Sequence, residues 1–320
     1  MAWYGRGHRD LPWRATTDPY RIWVSEIMLQ QTRAQAVIPY YERFLQRFPT
    51  AESLAAASEE QVLTLWSGLG YYTRARNLHR AARLITTAGG FPCDYDAIRE
   101  LPGIGEYTAA AVASIAFGLP HAVVDGNVLR VVARVHNDAA DIASTSTKRR
   151  FREIAESWLD RRDPGLFNQA LMELGATICL PKKPLCTDCP LISDCRSRQA
   201  GTAAQLPIKL RRVTPQRISG VLLIVRRGER VLLRQRAATE RRMAGFWDLP
   251  DPVQLPNARM GRRFGEIRHT ITHHHYTLEV RAASAQVDRD GFAWFRRSEL
   301  SAIALSTTAR KALTLAGVLS

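Results

Sequence analysis

Residues 101–130, LPGIGEYTAAAVASIAFGLPHAVVDGNVLR, constrain this chain more than any other stretch. Gly103 and Gly105 flank one apolar residue, and glycine there lets the backbone turn tightly and come close to another molecule. The apolar run Tyr107–Phe117 predicts a helix directly after that hairpin, and Gly118-Leu119-Pro120 ends it. Free N–H groups at the start of such a helix suit a phosphate. Asp125 follows 20 residues after Gly105, in an Asp-Gly-Asn loop. One segment therefore offers a phosphate-binding hairpin and a carboxylate delivered beside it. A weaker echo lies 35 residues earlier: GLGYYTRA (68–75) and GIGEYTAA (103–110) share the form G-h-G-x-Y-T-x-A, where h is apolar. Two approaching hairpins and a chance likeness of two turns both account for it.

At 320 residues the chain can hold two domains, each with its own core. Lys and Arg number 45 against 30 Asp and Glu, a net charge of +15. That excess fits a polyanion partner or an Arg-rich solvated surface, and charge alone does not choose. No apolar run approaches the roughly 20 residues of a membrane span. The opening MAWYGRGHRDLPWR lacks an apolar signal region. The expected location is the cytoplasm, at the nucleoid in a bacterium, with no membrane partner.

Residues 1–196 read as a mainly helical domain, 197–217 as a linker and 218–320 as a smaller α+β domain. The run 22–48 has helical apolar spacing, with a kink or break expected at Pro39. SEEQVLTLW (58–66) carries a capping-box signature. After the linker, 219–225, 229–236 and 276–287 read as strands, the first two joined by a short turn. A closing helix is expected in SELSAIAL or TTARKALTLAG. From Leu206 to Arg242 there are 11 Lys or Arg against two Glu. A phosphate-tracking surface and a charged, soluble strand edge explain that stretch equally well.

Cys179, Cys186, Cys189 and Cys195 are spaced C-x6-C-x2-C-x5-C, whereas Cys93 stands apart as an ordinary thiol. Four cysteines crowded into a long chain do not read as a secreted disulfide framework. They fit a tetrahedral zinc or an iron–sulfur cluster, and spacing alone leaves both open.

Taken in order, RDLPWR (9–14), DPYRIWVSEIMLQQT (18–32), GLGYYTRARNLH (68–79), LPGIGEYTA (101–109), VDGNVLR (124–130), the cysteine loop and GFWDLP (245–250) resemble the MutY-type adenine glycosylases of the endonuclease III, helix-hairpin-helix superfamily. The resemblance spans nearly the whole chain and is stronger in the first lobe. It implies a helix-hairpin-helix lobe, with a six-helix barrel and an iron–sulfur subdomain, followed by a Nudix-like lesion-reading domain. It selects a [4Fe–4S] cluster on the four cysteines, with a structural and DNA-positioning role. The implied substrate is double-stranded DNA carrying adenine opposite 8-oxoguanine or, less well, opposite G, handled by a monomer.

Glu26 matches the family's general acid. Adenine leaves poorly until a ring nitrogen is protonated, so this carboxyl needs a raised pKa, which burial supplies. Alone, a Glu on an amphipathic helix is usually a solvated residue. Asp125 matches the carboxylate that steadies the oxocarbenium-like sugar, and it also suits a helix N-cap. Asn127 is expected to fix Asp125 or a water. Tyr107 stands where strand-nicking relatives carry a Schiff-base Lys, and residues 1–147 contain no Lys. Base removal without efficient strand cleavage follows.

The resemblance also places Arg9, Trp13 and Gln169 around the adenine. It places Gln30 and Tyr71 at the duplex wedge, Gln31 and Thr32 against the DNA, and Gly103 and Gly105 at the backbone. Extrusion of a base costs a few kcal/mol, and a planar aromatic suits insertion between bases. Core packing for Trp13 and Tyr71 and a solvated role for Arg9 are the plain alternatives.

In the second domain only Asp248 and Asp251 lie between Gly245 and Glu266, so the carboxylate-rich helix that holds Mg²⁺ in Nudix hydrolases is missing. The lesion-reading Phe-Ser-His of the family corresponds to Ile271-Thr272-His273, which keeps a hydroxyl and an imidazole but loses the flat ring. Adjacent histidines on a strand face opposite ways, which argues against a metal at 273–275. Two other readings compete: a bifunctional glycosylase and lyase for oxidised pyrimidines, which Tyr107 opposes, and a non-catalytic Fe–S damage sensor, which the pair Glu26 and Asp125 opposes.

Overall fold

A computed structural model describes residues 1–210, 214–237, 239–240, 243–287 and 289–319. The chain divides into two compact units, residues 1–56 with 77–212, and 57–76 with 213–320. Residues 57–76 thus group with the C-terminal part, although they lie within the first lobe in sequence.

The first unit is helical. Its chain runs through α1 (Ala2–Gly7), a 3-10 turn Pro12–Arg14, α2 (Pro19–Leu29), α3 (Ala34–Arg47) and α4 (Ala51–Ala55). After α5 (Glu59–Trp66), in the second unit, α6 (Thr73–Thr87) leads back into the first. There follow α7 (Tyr95–Glu100), α8 (Glu106–Phe117), α9 (Gly126–Val135), α10 (Thr145–Trp158), α11 (Pro164–Thr177) and the short α12 (Arg196–Gln199). The capping box at Ser58 forms as expected: Ser58 and Gln61 exchange side-chain to backbone hydrogen bonds.

Of the kink or break expected at Pro39, no break occurs there. Pro39 lies inside α3, and the interruption comes at residues 30–33. Gln31 there adopts φ +57, a left-handed conformation that a helix cannot continue through.

Helix α8 is the axis of this unit. Thr108 through Ser114 are all buried, and α2, α7 and α11 pack around it. A helix apolar on every side must sit inside its domain. Helix α9 is also buried from Val128 to Arg134, its two arginines included, and packs against α10, α11 and α12. The stretch read as a linker is partly packed here: Ala203 and Leu206 are buried, and the Leu206 carbonyl accepts from Arg134 Nε at 2.9 Å.

In the second unit, β1 (Gln216–Arg227) and β2 (Arg230–Gln235) form an antiparallel hairpin. They join β3 (Trp247–Asp248), β4 (Arg259–Ile271), β5 (His274–Ser284) and β6 (Phe292–Arg296) in one six-stranded sheet. The order is β3-β2-β1-β5-β4, with β6 also on β2. The β1–β5 pair is parallel, and β4–β5 is a long antiparallel hairpin. The closing helix is α13 (Thr307–Leu315), within the second of the two expected segments. Alternation along β1 explains its continuous apolar run. Leu222 and Ile224 pack with Leu305, Ala309 and Leu313, whereas Leu223 and Val225 pack with Leu232 and Leu255 on the other face.

Strand β4 escapes a sequence reading because it is Arg- and Gly-rich and its register shifts twice between Met260 and Gly265. Residues 249–258, where a Nudix hydrolase would place its metal-binding helix, contain turns and no helix. Asp248 is buried and committed: Ser306 Oγ donates to it at 2.7 Å and Arg236 Nη2 at 2.8 Å.

Candidate active site

A cavity of about 590 Å³, open to solvent, lies within the first unit. Glu26, Tyr107, Asp125, Asn127, Arg9, Trp13 and Gln169 all line it, though α2, α8, α9, α11 and the N-terminal turn supply them separately. Thr32 lines it as well, together with Leu11, Ile22, Leu29 and Ile115.

Glu26 is 5% exposed near the C-terminal end of α2. Burial pushes its carboxyl up to about 7, the Tyr107 hydrogen bond pulls it back in part, and the Asp125 charge adds to the rise. Tyr107 sits one residue into α8 and its hydroxyl donates to Glu26 Oε2 at 2.7 Å. Burial and the nearby Glu26 and Asp125 charges hold the phenol well above its ordinary value, so it keeps its proton.

Asp125 caps α9. Its Oδ1 accepts from the backbone N–H groups of Asn127 and Val128, both at 2.8 Å, and its Oδ2 accepts from Asn127 Nδ2 at 2.7 Å. Burial raises its pKa, while these bonds and the Arg130 charge oppose the rise. Asn127 is itself fixed: Arg130 Nη2 donates to its Oδ1 at 2.8 Å. A Cβ added at Gly175 would lie 2.6 Å from Asn127 Cβ, so only glycine lets α11 approach α9 this closely.

Sequence reasoning missed the ion cluster at the cavity edge. Glu173, buried on α11, accepts from Arg9 Nε and Nη2 at 2.8 and 2.7 Å and from Arg14 Nη2 at 2.7 Å. Burial alone would raise its pKa, but the two guanidinium groups bring it down to about 2. Its one sequence signal is position: Glu173 lies four residues after Gln169, on the same helix face. Gln169 accepts from Tyr4 Oη at 3.2 Å, and Trp13 packs edge-on to Tyr41.

The expected DNA-facing residues fall in two kinds of place. Gly103 has φ +80, and a Cβ there would meet the Asn77 side chain at 2.7 Å. Gly105 is the N-cap of α8, with no side-chain cap bond. Gln30 turns inward, its amide donating to Thr108 Oγ1 at 3.3 Å, whereas Gln31 is exposed. Tyr71, in the second unit, is 39% exposed with φ +50. Ile271, Thr272 and His273 lie at the tip of the β4–β5 hairpin, with Thr272 exposed at φ +52. Gln31, Tyr71 and Thr272 are thus three of five non-glycine residues with positive φ among those described. Such strain costs roughly 1–3 kcal/mol each and gathers where function demands a fixed geometry.

Cys179, Cys186, Cys189 and Cys195 ring a second, small cavity of about 30 Å³ in the first unit. All are free thiols, Cys179 is buried, and Arg134 Nη1 donates to its sulfur at 3.2 Å. Among the described residues no three or more His, Cys, Asp and Glu side chains gather closely enough to hold one metal ion. Four cysteine sulfurs lining one cavity are the donor set that an iron–sulfur cluster uses. Cys93 is exposed elsewhere.

Comparison with known proteins decides the family. Residues 24–159 match the HhH-GPD superfamily of base excision DNA repair proteins, and residues 220–315 match the NUDIX domain. The adenine DNA glycosylase of Homo sapiens is 33% identical over 97% of this chain and 72% of its own length. The chain belongs to the adenine DNA glycosylase family. The Arabidopsis thaliana enzyme of that name is 34% identical over 92% of this chain, and the Mycobacterium tuberculosis one 43% identical over 63%. The chain spans 53% of the Arabidopsis relative and 67% of the mycobacterial one. Among solved structures, a thermostable thymine-DNA glycosylase is 31% identical, with a TM-score of 0.55 over 62% of this chain and 93% of its own. A trapped endonuclease III–DNA intermediate, 23% identical, shares the fold with a TM-score of 0.53 over 63% of this chain and 92% of its own. Both likenesses cover about the share of the chain that a helix-hairpin-helix lobe would occupy.

Proposed function

We propose that this chain removes adenine mispaired with 8-oxoguanine, and less efficiently adenine opposite G, from double-stranded DNA, as a monofunctional glycosylase. The observation that carries the reading is the Glu26–Tyr107–Asp125 constellation in one cavity. A carboxyl near pKa 7 is half protonated at neutral pH. Tyr107 donates to one of its oxygens, which leaves the other to carry the proton toward a base in the cavity. Protonation makes adenine a competent leaving group. Asp125, with both oxygens held by α9, supplies fixed negative charge for the sugar cation that forms. Glu26, now ionised, can then activate water. Tyr107 offers no amine, so no Schiff base forms and the strand stays intact.

Arg9, Trp13 and Gln169 would surround the extruded base, with Glu173 holding Arg9 and Arg14 in place. Gly103 and Gly105 would approach the phosphate backbone, Tyr71 would enter the duplex with the exposed Gln31 in place of the inward-turned Gln30, and Ile271–His273 would read the opposite base. Gln30, tied to Thr108, and Thr32 would shape the inner wall of the wedge. The four cysteines would hold a [4Fe–4S] cluster, which stabilises and orients its loop without entering the reaction. The protein would act as a monomer, in the cytoplasm at the nucleoid of a bacterium.

The test is single-turnover excision from duplexes with A opposite 8-oxoguanine, G, C or T, with alkali added afterwards. Release fastest opposite 8-oxoguanine, with breaks only after alkali, is expected. Breaks before alkali, or a borohydride-trapped adduct, would refute the monofunctional assignment. Equal release opposite all four would refute lesion reading by the second domain.

A further inference from the structure

The hairpin 67–71 presents an exposed aromatic in an unfavourable backbone conformation, and something must hold it there. Gly68 and Gly70 have φ +110 and +73, and Tyr71 itself has φ +50. A bulky residue does not rest in that region by preference.

Arg74, in the first turn of α6, reaches back over this hairpin. Its guanidinium carbon lies 5.3 Å from the Tyr71 ring centroid and 5.5 Å from that of Trp66. Its Nη2 donates to the Gly70 carbonyl at 3.2 Å and to the Leu69 carbonyl at 3.4 Å. Trp66 Nε1 donates to the same Gly70 carbonyl at 3.1 Å. One planar cation therefore touches two rings and ties two hairpin carbonyls. Burial draws its pKa down to about 10, which leaves it charged at neutral pH.

The second hairpin supplies the contrast. In GIGEYTAA the residue at the Tyr71 position is Glu106, and the residue at the Arg74 position is Ala109. There the second glycine, Gly105, has an ordinary φ of −99, and no aromatic needs support. The cation and the strained aromatic occur together in one hairpin and are absent together from the other.

We propose that Arg74 is the positioning residue of the Tyr71 wedge, holding its ring at the angle that enters the duplex. This rests on the reading of Tyr71 as a wedge. A guanidinium suits the task because its flat faces can lie against rings while its edge donates to carbonyls. A lysine keeps the charge but loses the planar fork.

A double-mutant cycle with the full-length, cluster-loaded protein tests this. The variants are Tyr71→Leu, Arg74→Met and the two combined. The readouts are single-turnover adenine release and the fluorescence of 2-aminopurine placed beside the target adenine, which reports unstacking. Arg74→Met should lower both by about tenfold, with the combined variant no worse than Tyr71→Leu alone. Losses that multiply in the combined variant would overturn the proposal while keeping Tyr71 as the wedge. Full unstacking by Arg74→Met would do the same. If Tyr71→Leu alone changes nothing, the wedge reading falls and takes the proposal with it. Should Arg74→Met fail to fold, Arg74→Lys replaces it in the same cycle and must show the same non-additive loss.

Discussion

At the scale of single residues, two buried carboxylates, Glu26 in the cavity and Glu173 at its edge, are held in opposite states. Among the described residues, no cation lies within hydrogen-bond reach of Glu26, which rises to about 7, while Glu173 is gripped by Arg9 and Arg14 and falls to about 2. Burial acts on both, so the difference is made by partners. A general acid at Glu26 gives a rate that is flat below about pH 6, falls through about 7 and then drops about tenfold per unit; a single-turnover pH profile checks this. The same shift bears on stability. The folded pKa of Glu26 exceeds its unfolded value of 4.5, so its contribution is full below that value and is lost as pH rises through about 7. Glu26→Gln should therefore abolish excision yet be more stable than the parent by roughly 2 kcal/mol, read by denaturant titration at pH 8. At pH 5 the gain should nearly vanish. An unstabilised Gln variant would mean that Glu26 is solvated.

At the scale of elements, α9 connects the carboxylate to the cavity wall and α11 sets its distance. Gly175→Ala would place a methyl against Asn127 Cβ, displacing the residue that fixes Asp125. Overpacking of this kind costs roughly 1–3 kcal/mol. Excision should fall by about tenfold or more, and a thermal melt beside a single-turnover assay separates the two effects. In the cysteine loop, Arg134 ties Cys179, Leu180 and Pro181 to α9, so the loop is built into the unit and does not hang from it. Cys189→Ser should give an unstable protein or weakened binding to duplex DNA, measured by gel shift. Normal binding after complete loss of the cluster would refute its positioning role.

At the scale of the whole molecule, the sequence order of the domains and their packing differ. Tyr72 packs on Phe246 with ring centroids 4.1 Å apart, and Ser67 Oγ donates to the Leu305 carbonyl at 3.0 Å, so residues 57–76 take their support from the C-terminal strands and loops. Truncation after Leu210 should retain slow excision of A opposite G and lose the preference for the oxidised pair. It should also expose residues 67–72 to limited proteolysis, which intact protein resists. Equal preference before and after truncation would refute the role of the second domain.

Local chemistry carried the motifs. The glycine hairpin, the cap at Asp125, the capping box at Ser58 and the cysteine spacing are all fixed by neighbours in sequence, and the order of these motifs pointed to the family. Burial patterns also placed β1, β2 and β5, because apolar runs report a core. Strand β4 hid behind arginines and bulges, since its stability comes from pairing with β5 and not from its own composition. Glu173 and Arg14 were silent for a related reason: a buried ion cluster needs partners 159 residues apart in the chain. The order of residues was enough to name the groups that could do chemistry. Folding in three dimensions set their states: Glu26 loses water with only the Arg14 charge, outside hydrogen-bond reach, to offset it, Glu173 gains two bonded guanidinium groups, and Arg74 lies across the Tyr71 ring, because desolvation and Coulomb attraction depend on distance in space and not along the chain.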